Sequence, residues 1–347
     1  MKKTILFFVC LLTLISIGTA RTFLDTANNP AILNAYQLDV APTIDGMDSG
    51  WDAIPWTELY FNDHDWNSDS FQDPLPDKRD LMARYKAAWM EGSSELFLII
   101  ESRDNELVTS GDKMDGFVIS IDPLNEKTAG APGSGAAYAI TFPAGSVEHS
   151  AFLGATAPVY RSAAAVNSEL FPSKATLELA ISLPAGVAMA NGTKMGFYLQ
   201  VDDVDTDLGY SELEHTLVPW PPLFKDGEKI PPRSSKDDVS KWGELELAGK
   251  PVHVAIAEGE SIQSAIDNAA PGLTVINVAG GTFAEILIIE SSGIYLTGST
   301  DGANPTILIN EDRFLPAISV TWEAMGTVIE NMTIGSFNGD SSTTEGY

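Results

Sequence analysis

Asp203-Val204-Asp205-Thr206-Asp207-Leu208-Gly209 places carboxylates at alternate positions and closes on a glycine. Hard oxygen ligands in that spacing suit a calcium ion, so Asp203, Asp205 and Asp207 are the candidate metal ligands and Ca2+ the candidate cofactor. The glycine falls one place later than in the usual calcium loop, and a solvated acidic loop is the competing reading. A second cluster, Asp63-His64-Asp65-Trp66-Asn67-Ser68-Asp69, mixes metal-capable and aromatic groups. The histidines His64, His149, His215 and His253 are scattered and form no HxxxH or HxH pair, so this cluster reads as an exposed loop. Trp89 alternates with Tyr85 and Ala87 and reads as core, whereas Trp220 lies among prolines in a loop, where a ring can meet a ligand. No catalytic set stands out. Carboxylate pairs are too abundant to single out an acid and a base, and no GxSxG phrase marks a serine nucleophile.

That abundance is itself informative. Asp and Glu number 48 against 20 Lys and Arg, a net charge of −28, which repels a phosphate backbone and excludes a nucleic-acid partner. Met1-Lys2-Lys3, the apolar run 4–17 and Gly18-Thr19-Ala20 read as a secretory signal peptide, residues 1–20. Its removal takes Lys2 and Lys3, moving the net charge to −30, and takes Cys10, the one cysteine. The mature chain then has no disulfide and no thiolate ligand or nucleophile. No other apolar run reaches the roughly 18 residues a membrane helix needs. The expected product is a soluble monomer, exported to the extracellular space or periplasm, without membrane insertion.

The elements that must position these residues change character at Gly249-Lys250-Pro251. Before this linker (249–251), strand-like stretches alternate with turn signals over 38–248: 81–89 and 95–101 around Met90-Glu91-Gly92-Ser93-Ser94 as a hairpin, then 116–121, 137–142, 175–183, 195–201 and 243–247. Gly130-Ala131-Pro132-Gly133-Ser134-Gly135 and 219–232 read as loops. Many short strands at this spacing predict an antiparallel β-sandwich, preceded by a lead-in over 21–37. From 252 to 347 short aliphatic strands start near Thr274, Ile286, Ile294, Thr306, Ile318 and Thr327, and every second start recurs after 20 to 24 residues. That repeat predicts a solenoid, capped by a helix with Ile262, Ala265, Ile266 and Ala269 on one face.

Seven phrases in order, Pro42-Thr43-Ile44-Asp45-Gly46, Trp51-Asp52-Ala53, Ala87-Ala88-Trp89 leading to Leu96-Phe97-Leu98, the runs 115–122 and 196–203, Pro219-Trp220 and the run 242–247, resemble a family 9 carbohydrate-binding module. The resemblance implies a β-sandwich, of the kind attached to secreted glycan-degrading enzymes. It also implies two tryptophans sandwiching a terminal sugar, with amides and carboxylates bonding the hydroxyls. Lys113-Met114 and Lys236 stand where those tryptophans are expected, and Val118 where a carboxylate is expected, while Gln200 is retained. Gln200, Asp202 and Trp220 are therefore the candidate sugar contacts. The second part, through Ser261-Ile262-Gln263, Val275-Ile276-Asn277-Val278, Gly281-Thr282-Phe283-Ala284-Glu285 and Ile329-Glu330-Asn331-Met332-Thr333-Ile334, resembles the start of a pectate-lyase-like right-handed parallel β-helix. The expected fold class is all-β, a sandwich followed by a short parallel β-helix. The expected function is recognition of a polysaccharide or oligosaccharide without catalysis in this chain. The alternative is the N-terminal part of a polysaccharide lyase or glycoside hydrolase.

Overall fold

The structure is a computed structural model that describes residues 32–59, 81–111, 114–133, 135–204, 215–220, 224–225, 228–229, 238–310, 316–321, 324 and 327–336. Strand order is β1 (Ile32–Gln37), β2 (Thr57–Glu58), β3 (Leu81–Trp89), β4 (Glu95–Asp104), β5 (Gly116–Asp122), β6 (Tyr138–Pro143), β7 (Ala151–Leu153), β8 (Tyr160–Asn167), β9 (Ser173–Ser182), β10 (Lys194–Asp203), β11 (His215–Trp220), β12 (Phe224–Lys225), β13 (Glu228–Lys229) and β14 (Gly243–Ala248). One sheet runs β7-β6-β5-β10-β14-β1-β3-β4-β9-β8, with β11 on β10 and β2 on β3. It folds over on itself. Phe117, Ile119, Phe142, Phe197, Leu199 and Leu245 from one half share a single core with Tyr85, Trp89, Leu98, Ile100, Leu177 and Leu179 from the other. The two edges meet, since His149 Nδ1 lies 2.6 Å from the Tyr160 hydroxyl and Ser162 Oγ donates to the Val147 carbonyl.

The strands arise where alternate residues are apolar on the core side. In β3 and β4 the hairpin register pairs Ala87 with Leu98 and Tyr85 with Ile100, as their patterns require. Two findings depart from the expected antiparallel sandwich. The segment expected as a lead-in contains β1, which runs parallel to β14 (Leu33 opposite Leu245, Ala35 opposite Leu247) and to β3 (Tyr36 opposite Ala88). A parallel neighbour needs a long crossover, and residues 38–56 use theirs to lay Trp51, Ile54 and Trp56 over the outer face of β3, β4 and β9. The stretch 219–232, expected to be a loop, also holds strand: Pro219 and Trp220 end β11, whose pairing on one side only tolerates a residue without an N–H.

Because β1 joins the two halves, its loss should be felt across the sandwich. A chain of 38–248 forfeits seven paired positions and the buried Ala35. At about 0.5–1.5 kcal/mol for each hydrogen bond, that approaches the whole stability of a domain. The expected result is no cooperative thermal transition for 38–248 and a cooperative one for 30–248, followed by circular dichroism. Equal melting of the two would show that β1 is dispensable.

After Val252, β15 (Val252–Ile256), helix α1 (Ile262–Asp267), β16 (Thr274–Val278), β17 (Gly281–Ala284), β18 (Leu287–Ile289), β19 (Ile294–Thr297), β20 (Thr306–Asn310), β21 (Ile318–Val320), β22 (Val328–Glu330) and β23 (Met332–Ser336) form three parallel ladders: β15-β16-β19-β22, β17-β20-β23 and β18-β21. The chain visits the ladders in turn. A repeat therefore contains three strands where two were expected: Thr274 does pair with Ile294, but Ile318 faces Leu287 and Thr306 faces Gly281. Turns between ladders are tight, and a Cβ at Gly298 would collide with the Asn331 carbonyl. Helix α1 closes the first coil with Ile262 and Ile266 buried, and Ser261 caps it through the Ser264 N–H. The Glu285 carboxylate accepts from Ser261 Oγ and from the Ile262 and Gln263 N–H groups. Tyr36 of β1 packs on Leu273, Val275 and Tyr295, so the two units touch. No described helix is long and apolar enough to cross a membrane.

Candidate functional site

Strand β10 sends alternate side chains to opposite faces. Phe197, Leu199 and Val201 enter the sandwich core, while Tyr198, Gln200 and Asp202 share the other face. Tyr198 packs with Ala137, Val239 and Trp242 and donates its hydroxyl to Gln200 Oε1 at 2.5 Å; Gln200 Nε2 in turn donates to Asp202 Oδ1. The row runs from a buried phenol to a half-buried carboxylate, with Ser120 and Val118 of β5 beside Tyr198 and Gln200. Two of the three expected sugar contacts, Gln200 and Asp202, are thus adjacent and bonded to each other. The Trp220 backbone stands opposite Leu199 on the neighbouring strand, in β11 rather than in a loop.

One residue further along β10 the expected metal site changes its membership. Asp205 and Asp207 lie outside the described residues, as does the 63–69 cluster. Asp203 instead meets Asp104, the last residue of β4, and Asp115, which precedes β5. Carboxylate oxygens of all three lie within 4.8 Å of one another. All three are buried, at 0, 1 and 4% exposure respectively. Asp115 spans the gap between segments: Oδ2 accepts from the Val108 N–H at 2.7 Å and Oδ1 from the Val204 N–H at 2.8 Å. Asp104 Oδ1 accepts from the Glu106 N–H at 2.9 Å, and its Oδ2 is buried without a hydrogen-bond partner among the described residues.

Three carboxylates out of water and against one another are unfavourable unless a proton or a cation joins them. Burial, reinforced by the Asp104 charge, pushes the Asp115 carboxyl up to about 8, against the pull of its two N–H donors. No lysine or arginine pairs with Asp104 or Asp115 among the described residues. Hard oxygen donors of this kind fit Ca2+.

The signal for this trio was present in strand parity. Asp104 continues the core-facing series Leu96, Leu98, Ile100; Asp203 continues Phe197, Leu199, Val201; Asp115 precedes Phe117, Ile119, Ile121. An acid at the core-facing position of a strand end is a buried acid, and three such ends meet at one rim of the sandwich.

No family model matches the chain, and no curated protein matches it. Among solved structures it is similar to a family 9 carbohydrate-binding module from Caldicellulosiruptor kristjanssonii in complex with cellotriose, at 18% identity over 63% of this chain and 95% of that one, with a TM-score of 0.46. It is also similar to a family 9 module of the same organism in complex with glucose, at 19% identity over 62% and 96%, with a TM-score of 0.45.

Proposed function

We propose that the protein is an exported polysaccharide-recognition protein, noncatalytic in this chain, in which the outer face of β10 contacts sugar and Ca2+ fastens the adjoining rim. The observation that carries the reading is the bonded row Tyr198, Gln200, Asp202, in which the buried phenol and amide orient the half-buried Asp202 carboxylate. Groups held in this way lose little freedom on meeting sugar hydroxyls. Ca2+ on Asp104, Asp115 and Asp203 would tie the ends of β4 and β10 to the start of β5, and so hold Asp202 in place. These three carboxylates are buried, which supports structural work rather than acid–base attack on a polymer. In the same reading, the three parallel ladders after residue 252 are the first coils of a right-handed parallel β-helix, and the chain acts as a monomer.

Calorimetry of the full chain against glucose, cellotriose, and xylan and pectin oligomers tests the reading. Binding by one neutral member of the panel is expected. Gln200→Ala and Asp202→Ala should each weaken it by roughly tenfold, the worth of a hydrogen bond to a positioned or charged group. Binding that survives both substitutions would place the sugar elsewhere, and absence of binding across the panel would end the proposal.

A further inference from the structure

On the outer face of β3, β4 and β9, beside the segment laid across it by residues 38–56, cations gather in an otherwise acidic protein. Glu101 of β4 is 1% exposed and accepts Arg84 Nε at 2.9 Å, Arg84 Nη2 at 2.8 Å and Arg103 Nε at 3.0 Å on Oε1, and Lys174 Nζ at 2.7 Å on Oε2. Three cations thus converge on one carboxylate among the described residues, within a chain of net charge −28. Neutralising a buried carboxylate needs one partner, and Glu101 has three.

The three cations face solvent. Arg103 has 41% of its side chain exposed and Arg84 and Lys174 30% each. By register, Arg84 stands opposite Glu101, Glu101 opposite Thr176, and Arg103 opposite Lys174, so the three heads ring a patch three strands wide. A depression lined by Met82, Ala83, Arg84, Glu101 and Arg103 opens at this point. Trp56 lies over the Arg84 guanidinium at 4.3 Å and limits its movement. Among the described residues Arg103 meets Glu101 through Nε, and its two Nη groups present the planar fork that suits an oxyanion.

We propose that Arg84, Arg103 and Lys174 form a second subsite that takes an acidic substituent of a sugar, either the carboxylate of a uronic acid or a sulfate ester. It rests on the polysaccharide-recognition reading for its ligand class, but it lies on the opposite half of the sandwich from Gln200 and Asp202. The surrounding negative charge disfavours long polyanions and favours an isolated acidic group reaching the patch.

The test follows the Arg84 and Arg103 Nε–Hε signals of the 15N-labelled full chain by NMR during titration with galacturonate, glucose 6-sulfate, glucose and cellotriose. Saturable shifts at Arg103 with an acidic sugar and none with glucose are expected, weakening several-fold as salt is raised to about 0.3 M. A response to galacturonate alone identifies a uronate, to the sulfate alone a sulfate ester, and both outcomes support the subsite. Arg103→Gln leaves Arg84 and Lys174 on Glu101. It should weaken the acidic sugar about tenfold while the melting temperature and cellotriose affinity stay unchanged. Cellotriose binding without any acid-specific shift at Arg103 would overturn the subsite and leave the β10 reading standing. Acid-specific shifts without cellotriose binding would do the reverse. Equal response to acidic and neutral sugars, or no change in Arg103→Gln, would also overturn it.

Discussion

Calcium added to metal-stripped protein at neutral pH is expected to raise its melting temperature by about 5–10 °C once the ion is at a hundredfold excess over its dissociation constant. The size follows from linkage: binding to the folded state alone at that excess is worth about 2.7 kcal/mol, and each kcal/mol moves a domain of this size by about 2–4 °C. The ion answers a specific difficulty, three buried carboxylates from β4, β10 and the approach to β5 with oxygens within 4.8 Å. Without it, a proton is the natural substitute, and burial raises the Asp115 carboxyl in favour of holding one. A group whose folded pKa is raised contributes stability that is complete below its unfolded value and lost as pH rises through the folded one. The metal-free protein should therefore lose stability between about pH 4 and 8 on account of Asp115. Calcium stabilisation should grow over the same window, as the competing proton leaves. Asp104→Asn separates this site from general screening, because it removes a repelling charge and a ligand together. The variant should melt higher than wild type without calcium and respond little to it. Magnesium and sodium at matched ionic strength are the controls. An Asp104→Asn protein that still gains several degrees from calcium would place the ion elsewhere.

The parts of this fold that were legible in the sequence are those in which one strand's own pattern decides its state. The β3–β4 hairpin and β5, β9, β10 and β14 are runs of apolar residues bounded by turn residues, and they form at the expected places. Strand β1, Ile32-Leu33-Asn34-Ala35-Tyr36-Gln37, has no such pattern, because its partners β14 and β3 lie far along the chain and supply the burial that makes it a strand. The same distance explains the carboxylates. Reading neighbours along the chain pairs Asp203 with Asp205 and Asp207, whereas Asp104 and Asp115 reach it only after β4, β5 and β10 are assembled. In the ladders, the short β17 and β23 escaped notice, so a three-strand repeat was read as two. Gln200 and Asp202 stand on one strand, where a period of two is enough to bring them together.

Glu178→Ala should cost about 3–5 kcal/mol and lower the melting temperature by about 10 °C or more, although the residue touches neither the carboxylate trio nor the sugar row. Glu178 is fully buried on β9, on the face away from the main core. Its Oε2 accepts from the Asp45 N–H at 2.8 Å and the Gly46 N–H at 2.9 Å, and its Oε1 from the Trp51 indole N–H at 2.7 Å. Those three donors explain what Pro42-Thr43-Ile44-Asp45-Gly46 and Trp51-Asp52-Ala53 do here: the first forms a turn over the carboxylate and the second drops a ring beside it. Burial pushes the Glu178 carboxyl up even against three donors, so the site is expensive to assemble and more expensive to leave half made. Removing the side chain strands two buried N–H groups, of Gly46 and the Trp51 indole, at about 1–3 kcal/mol each, and loosens Trp51, whose carbonyl accepts from the buried Lys86 Nζ at 3.0 Å. Gly46→Ala probes the same clamp from the other side. Its φ of +82° is one that glycine adopts freely, and a Cβ there would stand 3.1 Å from the Ala164 carbonyl carbon. Urea unfolding of wild type, Glu178→Ala, Glu178→Gln and Gly46→Ala is the measurement. Glu178→Gln should fall between wild type and alanine, because its amide oxygen keeps part of the acceptor set while its NH2 opposes a remaining donor. A Glu178→Ala protein within 1 kcal/mol of wild type would mean that the crossover segment holds to the sheet through Trp51, Ile54 and Trp56 packing alone, with the carboxylate a passenger.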